Sequence, residues 1–225
     1  MQSPHGCLLI HGLGGGTHEM EPLVKPLEEK GFIVAMPKLK GHTGDAKDLK
    51  DIDYKQWIFS AETGLLKLVQ QCKKIYIVGL GIGGLIAIEL SSRHTVAGLV
   101  CVNTPMFSRF LISSVLTKKS DVPWQGKMPW PTVKNVRLLL TKVKPLVPRV
   151  TVAIKVAQSA DEKLATKDSA SYLLSHVHSV VRQVSNYEKG GYSLFTGDDG
   201  ESAIKDVLDF FNNLEKIVHE PVTIS

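Results

Sequence analysis

The sequence predicts an α/β protein: a doubly wound, mostly parallel sheet with helices on its faces and a small cap insertion. Three observations carry this. Short apolar runs recur along the 225 residues, each closed by a glycine or proline signal, as strands buried on both faces require. Segments with apolar residues at helical spacing separate these runs, and such alternation implies crossover connections and a parallel sheet. Length and composition agree: 43% hydrophobic and 22% charged residues in 225 positions suit one globular domain over residues 1–225.

The elements are read in chain order. Residues 7–10 form a short apolar strand that stops at His11-Gly12-Leu13-Gly14-Gly15-Gly16. Met20, Leu23, Val24 and Leu27 lie on one helical face within 19–30, and Gly31 is a stop signal. Residues 32–36 read as a second strand, ended by Pro37, and the polar stretch 38–51 reads as a loop. A helix over 54–72, a strand over 75–78 and a glycine turn over 79–84 lead into a helix through Arg93. Residues 96–102 make a fourth strand, and 150–156 a fifth after Pro145 and Pro148. A helix over 169–179, a strand over 181–185 and a helix over 201–218 finish the chain. Residues 104–149 interrupt the alternation and hold Trp124, Trp130 and six of the eleven prolines. This predicts a cap, about 106–149, over a ligand site.

Charge and cysteine usage narrow the function classes. The formal net charge is +5. Between Phe107 and Arg149 nine basic residues face one acid, Asp121, so that segment carries +8 and the rest −3. A basic segment favours an anionic small-molecule ligand or, through the cap, an anionic membrane surface; a solvated surface is the plain alternative. No helix-turn-helix, finger or RNP pattern accompanies the charge, so nucleic acid is not expected. Cys7, Cys72 and Cys101 are far apart and form no CxxC pair, so neither a metal site, nor a cofactor, nor a disulfide framework is expected. No stretch of 18 apolar residues occurs, and the N-terminus lacks the basic region of a signal peptide, which predicts a cytoplasmic protein.

Four motifs in order carry a resemblance. Leu9-Ile10-His11-Gly12-Leu13-Gly14-Gly15 ends the first strand. Met36-Pro37 precedes Lys40-Gly41-His42-Thr43-Gly44. Ile77-Val78-Gly79-Leu80-Gly81-Ile82-Gly83-Gly84 joins a strand to a helix, and residues 96–105 lead into the insertion. Together they resemble the α/β-hydrolase family, particularly small bacterial carboxylesterases and monoacylglycerol lipases, over nearly the whole chain. The two antiparallel strands that open larger members are expected to be absent.

The resemblance implies a site with two replacements. Residues 11–15 match the oxyanion loop, whose donors would be the N–H groups of Leu13 and Ile82, beside Gly12. Gly79-Leu80-Gly81-Ile82-Gly83 matches the G-x-S-x-G elbow with Gly81 in the place of serine. Glycine offers no nucleophile, and it accepts the backbone angles of that turn without a Cβ penalty. Asp161 falls at the acid position, with Glu162 as neighbour, and Tyr192 at the histidine position. Tyrosine, with a reference pKa of about 10, is a poor base at neutral pH; its hydroxyl is expected to bond Asp161.

The reading is a catalytically impaired hydrolase-fold protein that keeps a pocket for an acyl or anionic ligand. The alternative is an active carboxylic ester hydrolase with a displaced catalytic set, for which Cys101, His11, His42, His176 and His178 are the residues to weigh. A remote alternative reads Gly79-x-Gly81-x-x-Gly84 as a dinucleotide fingerprint. The next strand ends Cys101-Val102-Asn103 with no acid to hold a ribose.

Overall fold

A computed structural model describes residues 5–108, 124–162, 165 and 167–219. Six strands, β1 (His5–Ile10), β2 (Phe32–Ala35), β3 (Lys74–Leu80), β4 (Gly98–Val102), β5 (Ala153–Ser159) and β6 (Arg182–Tyr187), form one sheet in the order β2-β1-β3-β4-β5-β6. Every pairing is parallel. Successive residues of each central strand face opposite ways, as the two-residue period of a strand demands. Leu8, Ile10, Ile75, Ile77, Leu99 and Cys101 join a cluster on one face; Cys7, Leu9, Tyr76, Val78, Val100 and Val102 join a second on the other.

Helices cover both clusters. On the first face lie α2 (Tyr54–Val69), α3 (Ile82–Ser91), α4 (Trp130–Val143) and α5 (Lys167–His176). On the second lie α1 (Val24–Glu29) and α6 (Gly200–His219). α2 starts on a capping box in which Asp53 accepts from the backbone and Gln56 reaches back to the Asp53 N–H. α3 is buried from Ile82 to Leu90 and apolar but for Glu89, which pairs with Arg93, as expected of a helix sandwiched between a sheet and other helices. Among the described residues no helix is long and apolar enough to cross a membrane.

Two expectations are corrected. The helix read over 19–30 is two 3₁₀ turns, Thr17–Glu19 and Glu21–Leu23, before α1. Pro22 and Pro26 donate no backbone hydrogen bond, which limits regular helix in this segment to the short run Val24–Glu29. The fifth strand starts at Ala153, since a 3₁₀ helix over Lys144–Arg149 runs on from α4 and takes up the proline stretch. α4 buries Val133, Val136, Leu139, Leu140 and Val143 in the core cluster it shares with α3. Of the expected cap, residues 109–123 lie outside the described residues.

Candidate functional site

The site forms where β3 turns into α3. Gly81 stands at this turn with φ 56° and ψ −118°. Its N–H donates to the Val102 carbonyl at 2.8 Å, and its carbonyl accepts from Gly84 at 3.1 Å. The flanking glycines are there for space. A Cβ on Gly79 would collide with the Gly83 carbonyl, and one on Gly83 with the Ile10 carbonyl of β1. Gly84 lies against Thr104 in the same way. The glycine run thus packs helix on sheet; it forms no open cradle for a pyrophosphate.

At Gly81 the space above the backbone is occupied by Tyr192. A Cβ there would lie 3.2 Å from the Tyr192 hydroxyl and 3.8 Å from the Gly12 Cα. The hydroxyl donates to the Leu13 carbonyl at 3.3 Å, and a Cβ on Gly12 would overlap it. Trp124 stands edge-on to the Tyr192 ring, centroids 6.5 Å apart, and covers Gly14. Desolvation, then the charges of Glu19 and Glu162, push the Tyr192 phenol well above the ordinary tyrosine range. It is a neutral donor here and cannot act as a base.

Asp161 follows β5 and accepts the Gly191 N–H at 2.9 Å, so the acid position and the Tyr192 loop do meet. The expected bond between Asp161 and the Tyr192 hydroxyl is not made. A phenol reaches further from its Cα than an imidazole does, and this one ends over Gly12, at the Leu13 carbonyl. Gly12 itself supplies room and no free donor, because its N–H is held by Glu19 at 3.1 Å. The N–H groups of Leu13 and Ile82 donate to no acceptor among the described residues.

Two residues that sequence reasoning missed shape this site. Glu19 is wholly buried; besides the Gly12 N–H it accepts the Ser193 hydroxyl at 2.8 Å. Burial raises its carboxyl above the ordinary value, opposed by those two bonds. It ties the loop at Gly12 to the segment that carries Tyr192. Asn103, with φ 44°, directs its amide to the Gly191 and Tyr192 carbonyls at 3.0 and 3.2 Å, and its carbonyl accepts the Ser159 N–H at 2.8 Å. The available signals were an acid inside an apolar helical face, for Glu19, and an asparagine closing a strand, a residue that tolerates positive φ.

The candidates for a displaced catalytic set lie elsewhere. His11 accepts the Leu39 N–H at 3.1 Å and bonds the Gly12 carbonyl at 3.0 Å; burial lowers it to about 4. His42 is lowered to about 3 by burial and by His11, 5.0 Å away between ring centroids. His176 stacks on Tyr172, and His178 is exposed. Burial pushes the Cys101 thiol up to about 12, which removes the thiolate a nucleophile needs. Among the described residues no three His, Cys, Asp or Glu side chains are placed to hold a metal ion.

Comparison with known proteins bears on the fold and the family. No protein-family model matches the chain. It is similar to a thermostable monoacylglycerol lipase from Bacillus sp. (strain H-257), 27% identical over 92% of this chain and 90% of that one. It is also similar to a carboxylesterase from Bacillus subtilis (strain 168), 22% identical over 92% of each. Among solved structures, one of two metagenome-derived lipolytic enzymes, LipS and LipT, superposes with a TM-score of 0.84 at 19% identity, covering 94% of both chains.

Proposed function

We propose that this chain is an α/β-hydrolase of the carboxylesterase and lipase type that binds an acyl or carboxylate ligand without hydrolysing it. One observation carries the reading: at the β3–α3 turn, where the resemblance implies a nucleophile, stands Gly81, and the space above it holds the Tyr192 hydroxyl. Acyl transfer by a triad needs a nucleophile within hydrogen-bond reach of a base. Gly81 supplies no nucleophile, and a neutral phenol takes no proton from one.

What is left of the machinery suits binding. The N–H groups of Leu13 and Ile82 flank the contact between Gly12 and Gly81, and Ile82 opens α3. Such donors at a helix N-terminus attract a carbonyl or carboxylate oxygen. The Tyr192 hydroxyl is a third donor once a ligand oxygen replaces the Leu13 carbonyl as its acceptor. The names of the two Bacillus relatives, a monoacylglycerol lipase and a carboxylesterase, favour an acyl ligand. The free cysteines Cys7, Cys72 and Cys101 fit a reducing compartment such as the cytoplasm.

The test pairs chemistry with binding. We expect p-nitrophenyl ester turnover at the level of buffer and no labelling by a fluorophosphonate. Calorimetric titration with short and medium-chain carboxylates should show binding that Tyr192→Phe weakens. Stoichiometric labelling of one serine would assign the chain to active hydrolases with a displaced set. Absence of both hydrolysis and carboxylate binding would end the ligand reading.

A further inference from the structure

The basic residues placed on α4 have a consequence separate from the Gly81 site. α4 spans Trp130–Val143 and contains no acidic residue. One side of it, Val133, Val136, Leu140 and Val143, is buried in the core. The opposite side carries Trp130, 59% exposed, and Leu138, 44% exposed. Exposed Lys134, Arg137 and Lys142 lie between and beside them. At 100° per residue, positions 130, 134, 137, 138 and 142 fall on one continuous outer face. Lys142 approaches the buried Glu89 at 3.5 Å; Lys134 and Arg137 meet no acid among the described residues.

Large apolar side chains on a surface helix lose free energy to water unless something covers them. The cover must suit an indole and a leucine set among cations on a convex helix face. We infer that this face of α4 docks tangentially on an anionic bilayer surface. Trp130 and Leu138 sit at the depth of the lipid headgroups, and Lys134 and Arg137 lie over the lipid phosphates. Amphipathic helices with tryptophan on one part of the face and basic residues beside it bind membranes in this way. The charge of this part of the chain favours such a surface, because residues 124–149 hold six basic and no acidic residues. A nucleic-acid backbone would complement the cations but leave Trp130 and Leu138 in water, so the lipid surface accounts for more of the face.

Sedimentation of the full chain with vesicles tests this. Binding to phosphatidylcholine vesicles containing phosphatidylglycerol is expected, with little to phosphatidylcholine alone, and it should weaken as salt is raised. Each cation near such a surface is worth about fivefold in partitioning, so Lys134→Gln with Arg137→Gln should weaken binding by about 25-fold. Tryptophan emission should shift to the blue on binding, and Trp130→Phe should abolish the shift. Circular dichroism of each variant establishes that it is folded. Equal binding to neutral vesicles, no vesicle binding, or undiminished binding by the folded double variant would overturn the inference. Binding to duplex DNA that the double variant loses, without vesicle binding, would overturn it in favour of a nucleic-acid face.

Discussion

At residue scale the decisive position is Gly81. Its φ of 56° and ψ of −118° lie where any side chain is strained, by about 1–3 kcal/mol on the usual scale. Gly81→Ser should therefore lower unfolding free energy by about that amount, measured in urea, and its Cβ would also meet the Tyr192 hydroxyl at 3.2 Å. Tyr192→His removes that hydroxyl and offers an imidazole to Asp161. Combining the two should produce p-nitrophenyl ester turnover above buffer, while each single variant stays at background, because triad members act as a unit. Equal turnover in all four proteins would place the chemistry in another residue set. Gly81 was legible because Gly79 and Gly83 fix the register of the elbow, and Tyr192 because a glycine pair precedes it after β6. Glu19 and Asn103 were not legible. Their partners, Ser193 and the carbonyls of Gly191 and Tyr192, are distant in sequence and close only once the sheet has formed.

At the scale of elements, the strands were the easiest to read, since runs such as Ile75-Tyr76-Ile77-Val78 are buried on both faces and need no neighbour to explain them. Boundaries were less legible where proline decides between helix types, as at Pro22 and Pro145. The packing of α4 was legible only in part: its buried series Val133, Val136, Leu140 and Val143 repeats at three and four residues as a packed helix does, but it lies among the tryptophan, prolines and charges of a polar stretch. The start of α2, by contrast, is specified locally. Asp53 accepts the Lys55 N–H at 2.7 Å, and Gln56 accepts the Asp53 N–H at 3.1 Å. Asp53→Ala should lower stability by about 1 kcal/mol, a typical loss for an N-cap, seen as a lower urea midpoint with an unchanged slope. A change of slope would mean that α2 frays as a unit.

At the scale of the whole molecule, buried imidazoles couple stability to pH. His11 and His42 titrate at about 4 and about 3 in the folded chain, against an ordinary value of about 6.5. Between these limits the unfolded chain binds more protons, so stability falls as pH drops below 6.5. At pH 5 each imidazole removes up to about 2 kcal/mol. Glu19 opposes this: its raised carboxyl binds a proton more readily when folded, so its contribution improves as pH falls toward the ordinary carboxylate value. The lowered carboxyls Asp206 and Glu215 contribute stability that is lost only as pH falls below their ordinary values. The urea midpoint should accordingly drop between pH 7 and pH 5, and His42→Leu should flatten that drop. A midpoint that drops as much in His42→Leu as in the parent would show that His42 titrates normally in the fold.

The contact between Gly81 and Tyr192 also makes the two positions interdependent. Serine introduced alone at 81 meets the phenol and strains the backbone. Histidine introduced alone at 192 has no hydroxyl to deprotonate and leaves a void above Gly12, where the phenolic oxygen is packed. A site arranged in this way couples the two positions: neither substitution alone assembles a nucleophile with its base, so each is a cost to the fold unless the other accompanies it.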